Sequence, residues 1–396
     1  MKKWKNILNS TLVVWVFLSA FYYVGNFIAG DLVADPSSNF YHKIFKYIVA
    51  LVILLSFMLT YELWYLLLFY ILSAIVLSST LAMIYNGISV LGMIETLVVI
   101  ISFAGFSYVG MILTRDTIKK IEISIILSAF IVSLISFYEY FYMWPVLGDY
   151  WRDTGGYRSV STLLNPNNLG LYLGASIILI FITKEFSKIK KLIILSVICS
   201  SFIMTGSRTA WLSLYVIGSF AFLFNFGLNF SFRKLIIYMI VNSLLILMFF
   251  NVFVIGEVAM PERATDMYTA ALRLEKYFSY LLNIDGTYLA PDFSGERIDR
   301  VSESSYFYYL NSLGIVAGFL YFLMAVSLLY LSIQTFSEEV YFSPFLVIFM
   351  YYMFAMLFEN TLMSFPNNQL FFLVIGLSVT SYCKLNGQKV LENKLE

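Results

Sequence analysis

The residues with the clearest chemical potential are two arginines, each close to the start of an apolar stretch. Arg158 precedes the polar segment 165–168, and Arg208 ends the polar segment 205–208. A guanidinium group is a planar fork that pairs bidentately with phosphate. The free N–H groups at a helix start bind the same kind of anion. We therefore expect a diphosphate cradle at these two helix starts. The polar residues expected to line it are Asn165, Asn167, Asn168 and Ser207.

Each arginine also has an ordinary structural explanation. Asn165 followed by Pro166 is typical of a well-capped helix that does nothing more. Arg208 could extend to lipid headgroups at a membrane interface. Arginines could also pair with carboxylates nearby in the sequence. Those carboxylates are Asp149, Asp153, Glu262, Glu296 and Asp299.

A third polar segment, 302–314, opens another apolar stretch and contains a candidate general base, Glu303. A helix start would weaken Glu303 as a base, whereas burial under the preceding loop would strengthen it. The alternative is a carboxylate that caps the helix. Ser304 and Tyr306 follow as candidate substrate contacts. Tyr306 could stack on a sugar ring or belong to an aromatic belt at a membrane interface.

The composition indicates what kind of scaffold positions these residues. Hydrophobic residues make up 60% of the 396 residues and charged residues 12%, against about 25% charged in soluble domains. This balance excludes a soluble enzyme, and a net charge of +1 gives no overall field for nucleic acid. We expect an all-α, polytopic membrane protein forming one integral domain, 1–396, with twelve spans. The spans are 7–29, 43–60, 63–84, 88–114, 121–144, 162–183, 192–205, 208–226, 235–255, 304–331, 341–358 and 369–383.

The basic residues predict the orientation of these spans. With both termini in the cytoplasm, the inner segments hold thirteen lysines and two arginines, and the outer segments hold three lysines and seven arginines. Topology needs only positive charge, which lysine supplies. An outer face poor in lysine and rich in arginine therefore points to an anionic ligand on that side.

The longest polar stretch, 256–303, is expected to be an extracytoplasmic loop. Apolar residues recur with helical periodicity over 261–283, which predicts an amphipathic helix on the outer membrane surface. Four loop arginines are expected to guide the substrate or to clamp the loop. They are Arg263, Arg273, Arg297 and Arg300. Carboxylates at the outer ends of spans are either functional groups or partners of the arginines. They are Glu95, Glu139 and Glu359.

Nothing in the sequence supports cofactor chemistry. The chain has no Walker motif, no Rossmann glycine pattern and no Asp-x-Asp motif of sugar-nucleotide enzymes. One histidine and two cysteines argue against a metal site of the usual ligand types. We therefore expect neither a metal nor a cofactor.

The three polar segments together resemble the O-antigen ligase/polymerase superfamily, which contains the Wzy-type polysaccharide polymerases and the lipid A-core ligases. The resemblance covers roughly residues 150–330. The matching pieces, in order, are Arg158 with Asn165-Pro166-Asn167, then Thr205-Gly206-Ser207-Arg208, then Ser304-Ser305-Tyr306 with segment 313–318. The resemblance implies a metal-independent membrane glycosyltransferase of the GT-C type, using an undecaprenyl-diphosphate-linked glycan as donor. The family's diphosphate-binding arginines match Arg158 and Arg208.

This resemblance favours the polymerase branch, because the ligase branch typically has a His-Asn pair where this chain has Glu303-Ser304. We expect a polysaccharide polymerase in the bacterial cytoplasmic membrane. It would transfer a lipid-linked glycan to a sugar hydroxyl of a lipid-linked repeat unit, with inversion. The alternatives are an O-antigen ligase and, in another class, a flippase for lipid-linked oligosaccharides. Expected partners are membrane lipid, a chain-length regulator and a flippase, and no nucleic acid.

Overall fold

A computed structural model describes residues 2–29, 113–143, 158–183, 185–225, 275–279, 282, 304–306, 344–359 and 366–377. All regular secondary structure in these ranges is helical. The helices are α1 (Lys2–Ser19), α2 (Val24–Ala29), α3 (Arg115–Tyr138), α4 (Pro166–Ile182), α5 (Lys188–Met204), α6 (Arg208–Asn225), α7 (Pro344–Ala355) and α8 (Asn367–Leu377). A π-helical turn, Glu139–Met143, follows α3, and a 3-10 turn, Ser161–Leu163, precedes α4.

Helix α4 lies at the centre of the described helices. It packs against α3, α5, α6 and α7, and its residues 169–180 are buried throughout. Helices α7 and α8 are similarly buried, and the tyrosine hydroxyls of this core are paired. Tyr172 is hydrogen-bonded to Ser128 of α3 at 2.7 Å, and Tyr351 donates to the carbonyl of Gly170 at 3.4 Å.

Helix α3 buries polar as well as apolar side chains on its inner side and exposes apolar side chains on its outer side. Four serines are buried on one side of the helix, while leucine, isoleucine and tyrosine side chains are exposed on another. The buried set is Ser124, Ser128, Ser133 and Ser136, and the exposed set is Leu127, Ile131, Leu134 and Tyr138. Within the described ranges, one helical stretch, Asp116–Tyr142, is long and apolar enough to cross a membrane.

The charges of the described helices separate between the two ends of the bundle. At one end, Lys119 forms an ion pair with Glu185 at 2.8 Å, and Lys191 donates to the carbonyl of Thr183. At the other end lie Arg158, the first turn of α4 and Arg208 at the start of α6. These lysines and the two arginines of the predicted site therefore lie at opposite ends of the described bundle.

The helical fold class is confirmed for the described residues. Helices overlap six of the predicted spans, and three of these helices, α3, α5 and α8, begin two to six residues before the predicted start. The six spans are 121–144, 162–183, 192–205, 208–226, 341–358 and 369–383. The other predicted spans, apart from the first, lie wholly or mostly outside the described residues. They are 43–60, 63–84, 88–114, 235–255 and 304–331.

The prediction of one continuous first helix over 7–29 is wrong, because a turn at 20–23 separates α1 from α2. The Val24 N–H donates to the carbonyl of Phe21 instead of that of Ala20. The Ala20 carbonyl accepts the Thr162 hydroxyl at 2.6 Å. A tertiary hydrogen bond thus satisfies the carbonyl that the break in the helix leaves without its usual donor.

Candidate functional site

The segment that carries Arg158 is fastened to the end of α3 by a buried carboxylate. Glu139 is 1% exposed and accepts hydrogen bonds from the Ser159 hydroxyl at 2.7 Å, the Val160 N–H at 3.1 Å and the Ser161 N–H at 2.7 Å. The π-helical turn that starts at Glu139 is a type of irregularity often found near functional sites. Ser161 has a left-handed backbone, with φ 49°. Glu139 thus fixes an unusual backbone conformation directly after Arg158.

Arg158 itself is 7% exposed and has two protein partners. Its Nε donates to the carbonyl of Thr205 at 2.9 Å, and one terminal nitrogen donates to Oδ1 of Asn167 at 2.7 Å. The N–H of the next residue, Ser159, donates to the carbonyl of Met204 at 3.0 Å. The arginine therefore joins the end of α5 to the first turn of α4.

Arg208 is the first residue of α6 and is half-buried. Ser207 precedes it, and the Ser207 hydroxyl accepts the N–H of Ala210 at 3.4 Å as a helix cap. Gly206 supplies the left-handed turn before α6, with φ 56°. The structure thus starts this helix at the residue that the motif predicts.

The two arginines lie close enough to influence each other electrostatically. Burial lowers the pKa of the Arg158 guanidinium from 12.5 to about 10, Glu359 opposes this shift, and the positive charge of Arg208 adds to it. Arg158 remains protonated at neutral pH. Two positive groups held in mutual repulsion favour an anion between or beside them.

Glu359 supplies a carboxylate at the same place. Its Oε1 accepts hydrogen bonds from Nδ2 of Asn167 at 2.8 Å and from the Thr209 hydroxyl at 3.3 Å. Asn167 therefore contacts the cation through its carbonyl oxygen and the anion through its amide nitrogen. A single side chain of α4 joins Arg158 to Glu359.

The starts of the helices meet closely at this end of the bundle. Asn165 caps α4 by accepting the N–H groups of residues 167 and 168, at 2.8 and 3.3 Å. Asn367, at the start of α8, donates to the carbonyl of Asn168 at 3.0 Å. Gly170 lies against the start of α6, since a Cβ added to it would come within 2.7 Å of the Ser207 Cβ. The first turns of α4 and α6 are therefore nearly in backbone contact.

The third motif reaches the same end through the turn that follows α7. The Ser304 hydroxyl and the Ser305 N–H both donate to the carbonyl of Met356, at 3.1 Å each. The Ser305 hydroxyl donates to the carbonyl of Glu359 at 3.0 Å. Tyr306 donates to the carbonyl of Met353 at 2.9 Å. All three motifs that the sequence singles out therefore converge on one end of the bundle.

The predicted site residues differ in what they do there. Arg158, Arg208 and Asn167 form a charged and polar cluster together with Glu359. Other predicted residues bond to the protein frame. These are Asn165, Asn168, Ser207, Ser304 and Tyr306. Glu303, Arg263, Arg273, Arg297 and Arg300 lie outside the described residues.

The structure describes only residues 275–279 and 282 of the predicted extracytoplasmic loop, 256–303. Residues 275–279 are helical, within the amphipathic helix expected over 261–283. The Tyr277 hydroxyl lies 3.4 Å from the carbonyl of Leu357. The side chains of Phe278 and Leu282 are exposed.

Sequence reasoning left the roles of Glu139 and Glu359 open and missed Thr209. A single carboxylate at the outer end of an apolar stretch was the available signal for both glutamates. Their partners lie 20 to 22 residues away for Glu139 and 150 and 192 residues away for Glu359. No periodicity or motif links positions so far apart.

Among the described residues, no group of three or more histidine, cysteine, aspartate or glutamate side chains could hold a metal ion. In comparisons with known proteins, no family model matches this chain, and no curated protein matches it.

Proposed function

We propose that this chain is a polysaccharide polymerase of the bacterial cytoplasmic membrane. It would transfer a glycan from undecaprenyl diphosphate to a sugar hydroxyl of a lipid-linked repeat unit. The observation that carries the proposal is the convergence of Arg158 and Arg208 at the adjoining starts of α4 and α6. The resemblance of the same residues to the O-antigen ligase/polymerase superfamily supports it.

A membrane environment is supported by the distribution of side chains on α3. Four serines are buried against the protein, and the side chains exposed over 127–138 are leucine, isoleucine and tyrosine only, as expected where the surroundings are lipid. The separation of lysines and arginines between the two ends supports both termini being cytoplasmic. We propose twelve spans, an extracytoplasmic loop over 256–303 and a GT-C-like architecture for the whole chain.

The charges of the cluster suit a diphosphate. Removing a guanidinium group from water is costly unless an anion or hydrogen-bond acceptors compensate. Arg158 has acceptors from the protein, and the carboxylate of Glu359 opposes the effect of burial and of Arg208 on its charge. A diphosphate would relieve the repulsion between Arg158 and Arg208 and lie at the positive ends of the helix dipoles of α4 and α6.

The chemistry follows from that placement. The acceptor hydroxyl attacks the anomeric carbon of the donor sugar while the bond from that carbon to the diphosphate oxygen breaks. The two arginines stabilise the negative charge that develops on the leaving diphosphate. Glu303 is the base that the motif position suggests, and Arg273, Arg297 and Arg300 would guide the substrate from the loop. No metal or cofactor takes part.

Arg208→Lys tests the proposal, because lysine keeps the charge and loses the bidentate fork. We expect polymerisation to fall about 10- to 100-fold, the value of a charge-assisted hydrogen bond. Polymer length is read on gels from cells that carry each variant at the wild-type level. Arg115→Lys is the matched control, because Arg115 is the first residue of α3 and lies at the lysine end of the bundle. This variant should leave polymer length unchanged. Long polymer in the Arg208→Lys strain would refute the role of the arginine.

Deleting the gene separates this function from its alternatives. Loss of a polymerase leaves single repeat units displayed, loss of a ligase leaves polymer unattached to lipid A-core, and loss of a flippase leaves neither at the surface. The polar residues of the described site gather at one end of the bundle, whereas a transporter site is expected near the membrane midplane.

A further inference from the structure

We infer that Glu359, and not Glu303, is the carboxylate that accepts the proton of the acceptor hydroxyl in the proposed transfer reaction. The inference rests on the proposed function and adds a catalytic residue to it. It places the general base on the turn after α7, beside the diphosphate cradle. Two kinds of observation carry it: the fixation of the Glu359 backbone and the anchoring of its side chain.

The backbone of Glu359 is held by donors from two other parts of the chain. Within its own turn, the Glu359 N–H donates to the carbonyl of Ala355 at 3.0 Å. Ser305 binds the turn at both ends, through its N–H to the Met356 carbonyl and through its hydroxyl to the Glu359 carbonyl. Tyr277 approaches the carbonyl of Leu357 between them. A carboxylate on such a turn is held ready before the substrate arrives, as efficient catalysis requires.

Two hydrogen bonds anchor Oε1 of the Glu359 side chain. Oε1 accepts both the Asn167 amide and the Thr209 hydroxyl, which come from the first turns of α4 and α6. These are the same turns that carry the proposed diphosphate contacts. Through the Asn167 amide, the bonded nitrogen of Arg158 and Oε1 of Glu359 lie within about 8 Å of each other. A base and a leaving-group contact at this separation can reach the same sugar of the proposed substrate.

In the proposed step, each bond that forms is matched by a bond that breaks. The acceptor O–H bond breaks and its proton passes to Glu359. The acceptor oxygen forms a bond to the anomeric carbon, and the bond between that carbon and the diphosphate oxygen breaks. The bonding electrons leave with undecaprenyl diphosphate, whose charge Arg158 and Arg208 hold. Nothing is oxidised or reduced, and the proton then leaves Glu359 to solvent.

A purely structural role makes a different prediction for Glu359→Gln. Glutamine keeps an oxygen that can accept from Asn167 and Thr209, so a role limited to these hydrogen bonds would survive the change. A role as base would be lost, because the neutral amide cannot take the proton. The variant also removes a negative charge near the proposed diphosphate, which should leave donor affinity equal or higher.

The experiment uses the full-length protein in lipid nanodiscs. Its substrate is the lipid-linked repeat unit that accumulates in a strain deleted for this gene, and its binding probe is undecaprenyl diphosphate. For Glu359→Gln we expect kcat to fall about 10²- to 10⁴-fold, the usual contribution of a general base. We expect affinity for the probe to be unchanged or tighter. Glu122→Gln is the control. Glu122 also accepts a threonine hydroxyl, but it lies near the start of α3, at the lysine end of the bundle.

Three outcomes would overturn the inference. The first is a kcat for Glu359→Gln within about threefold of wild type, far short of a base's contribution. The second is a loss of kcat matched by an equal loss of probe affinity, which would make Glu359 a positioning residue. The third is a loss of kcat in Glu303→Gln while Glu359→Gln stays active. If wild-type protein neither binds the probe nor extends the repeat unit, the proposed function itself has failed, and the inference fails with it.

Discussion

At the residue scale, the site depends on a cation, a carboxylate and an amide that bonds to both. Arg158 is buried and positive, Glu359 is negative, and Asn167 meets one with its oxygen and the other with its nitrogen. Buried charges are tolerated only when they are paired or hydrogen-bonded. The cluster meets that condition within the protein, and the proposed diphosphate would add an anion beside the second arginine, Arg208.

Glu139→Gln should destabilise the protein. Glu139 accepts two backbone N–H groups and one hydroxyl, and an amide nitrogen facing these donors would leave at least one of them unsatisfied. The expected loss is about 1–3 kcal/mol in the free energy of unfolding. Thermal or denaturant unfolding of the detergent-purified protein measures it. Asp116→Asn, an exposed change in the first turn of α3, should change stability much less, and equal stabilities of the two variants would contradict the role of Glu139.

At the element scale, the site exists because α4 and α6 start side by side. Gly170 permits this approach, since it has no Cβ to meet Ser207. Gly174, one turn further along, permits the close approach of a different helix, since an added Cβ would meet the ring of Tyr351 of α7. The close approach of α4 to the start of α6 therefore depends on Gly170.

Gly170→Ala should reduce activity by separating these helix starts. The added Cβ would lie 2.7 Å from the Ser207 Cβ and 3.0 Å from the Ala210 Cβ. Such overpacking typically costs about 1–3 kcal/mol. We expect shorter polymer in the same cell-based assay and a lower melting temperature.

Gly218→Ala is the matched control for Gly170→Ala, because a Cβ at Gly218 of α6 would meet nothing within 4 Å. Alanine is favoured over glycine inside a helix by about 0.5–1 kcal/mol. The control should therefore be neutral or slightly stabilising. If Gly170→Ala behaves like Gly218→Ala, the close approach of the helices is not what sets the site.

The sequence predicts helix ends well where local chemistry fixes them. Asn165-Pro166 and the Gly206-Ser207 turn mark the starts of α4 and α6, because capping depends on residues one to three positions apart. It does not predict the pairing of Glu139 with segment 159–161 or of Glu359 with Asn167 and Thr209. Those pairings depend on tertiary packing. The break at 20–23 was missed for the same reason, since Thr162 satisfies the freed carbonyl from far along the chain.

At the scale of the whole molecule, the two ends of the bundle carry different chemistry. One end holds lysines with carboxylate and carbonyl partners, and the other holds the arginine cluster. The proposed reaction requires the arginine end to face outward, because the proposed repeat units are joined outside the cytoplasmic membrane. The orientation of the chain is therefore as important to the proposal as the site itself.

Cysteine labelling tests that orientation. In a background with both native cysteines changed to serine, Tyr142→Cys lies at the arginine end and Lys188→Cys at the lysine end, and both positions are exposed. A membrane-impermeant maleimide should label Tyr142→Cys in intact cells and Lys188→Cys only after permeabilisation. The reverse pattern would place the site in the cytoplasm and contradict the proposed function.

The double role of Asn167 has a consequence for how such a site can change. Its amide is oriented by the charges on either side. An aspartate at this position would repel Glu359, and a leucine would lose the hydrogen bonds to both Arg158 and Glu359. Arg158 and Glu359 are thereby coupled through one planar amide, so a change of residue 167 alters the surroundings of both charges together. We therefore expect changes in the sugar specificity of the proposed reaction to arise in the surrounding loops, while Arg158, Asn167 and Glu359 are retained together.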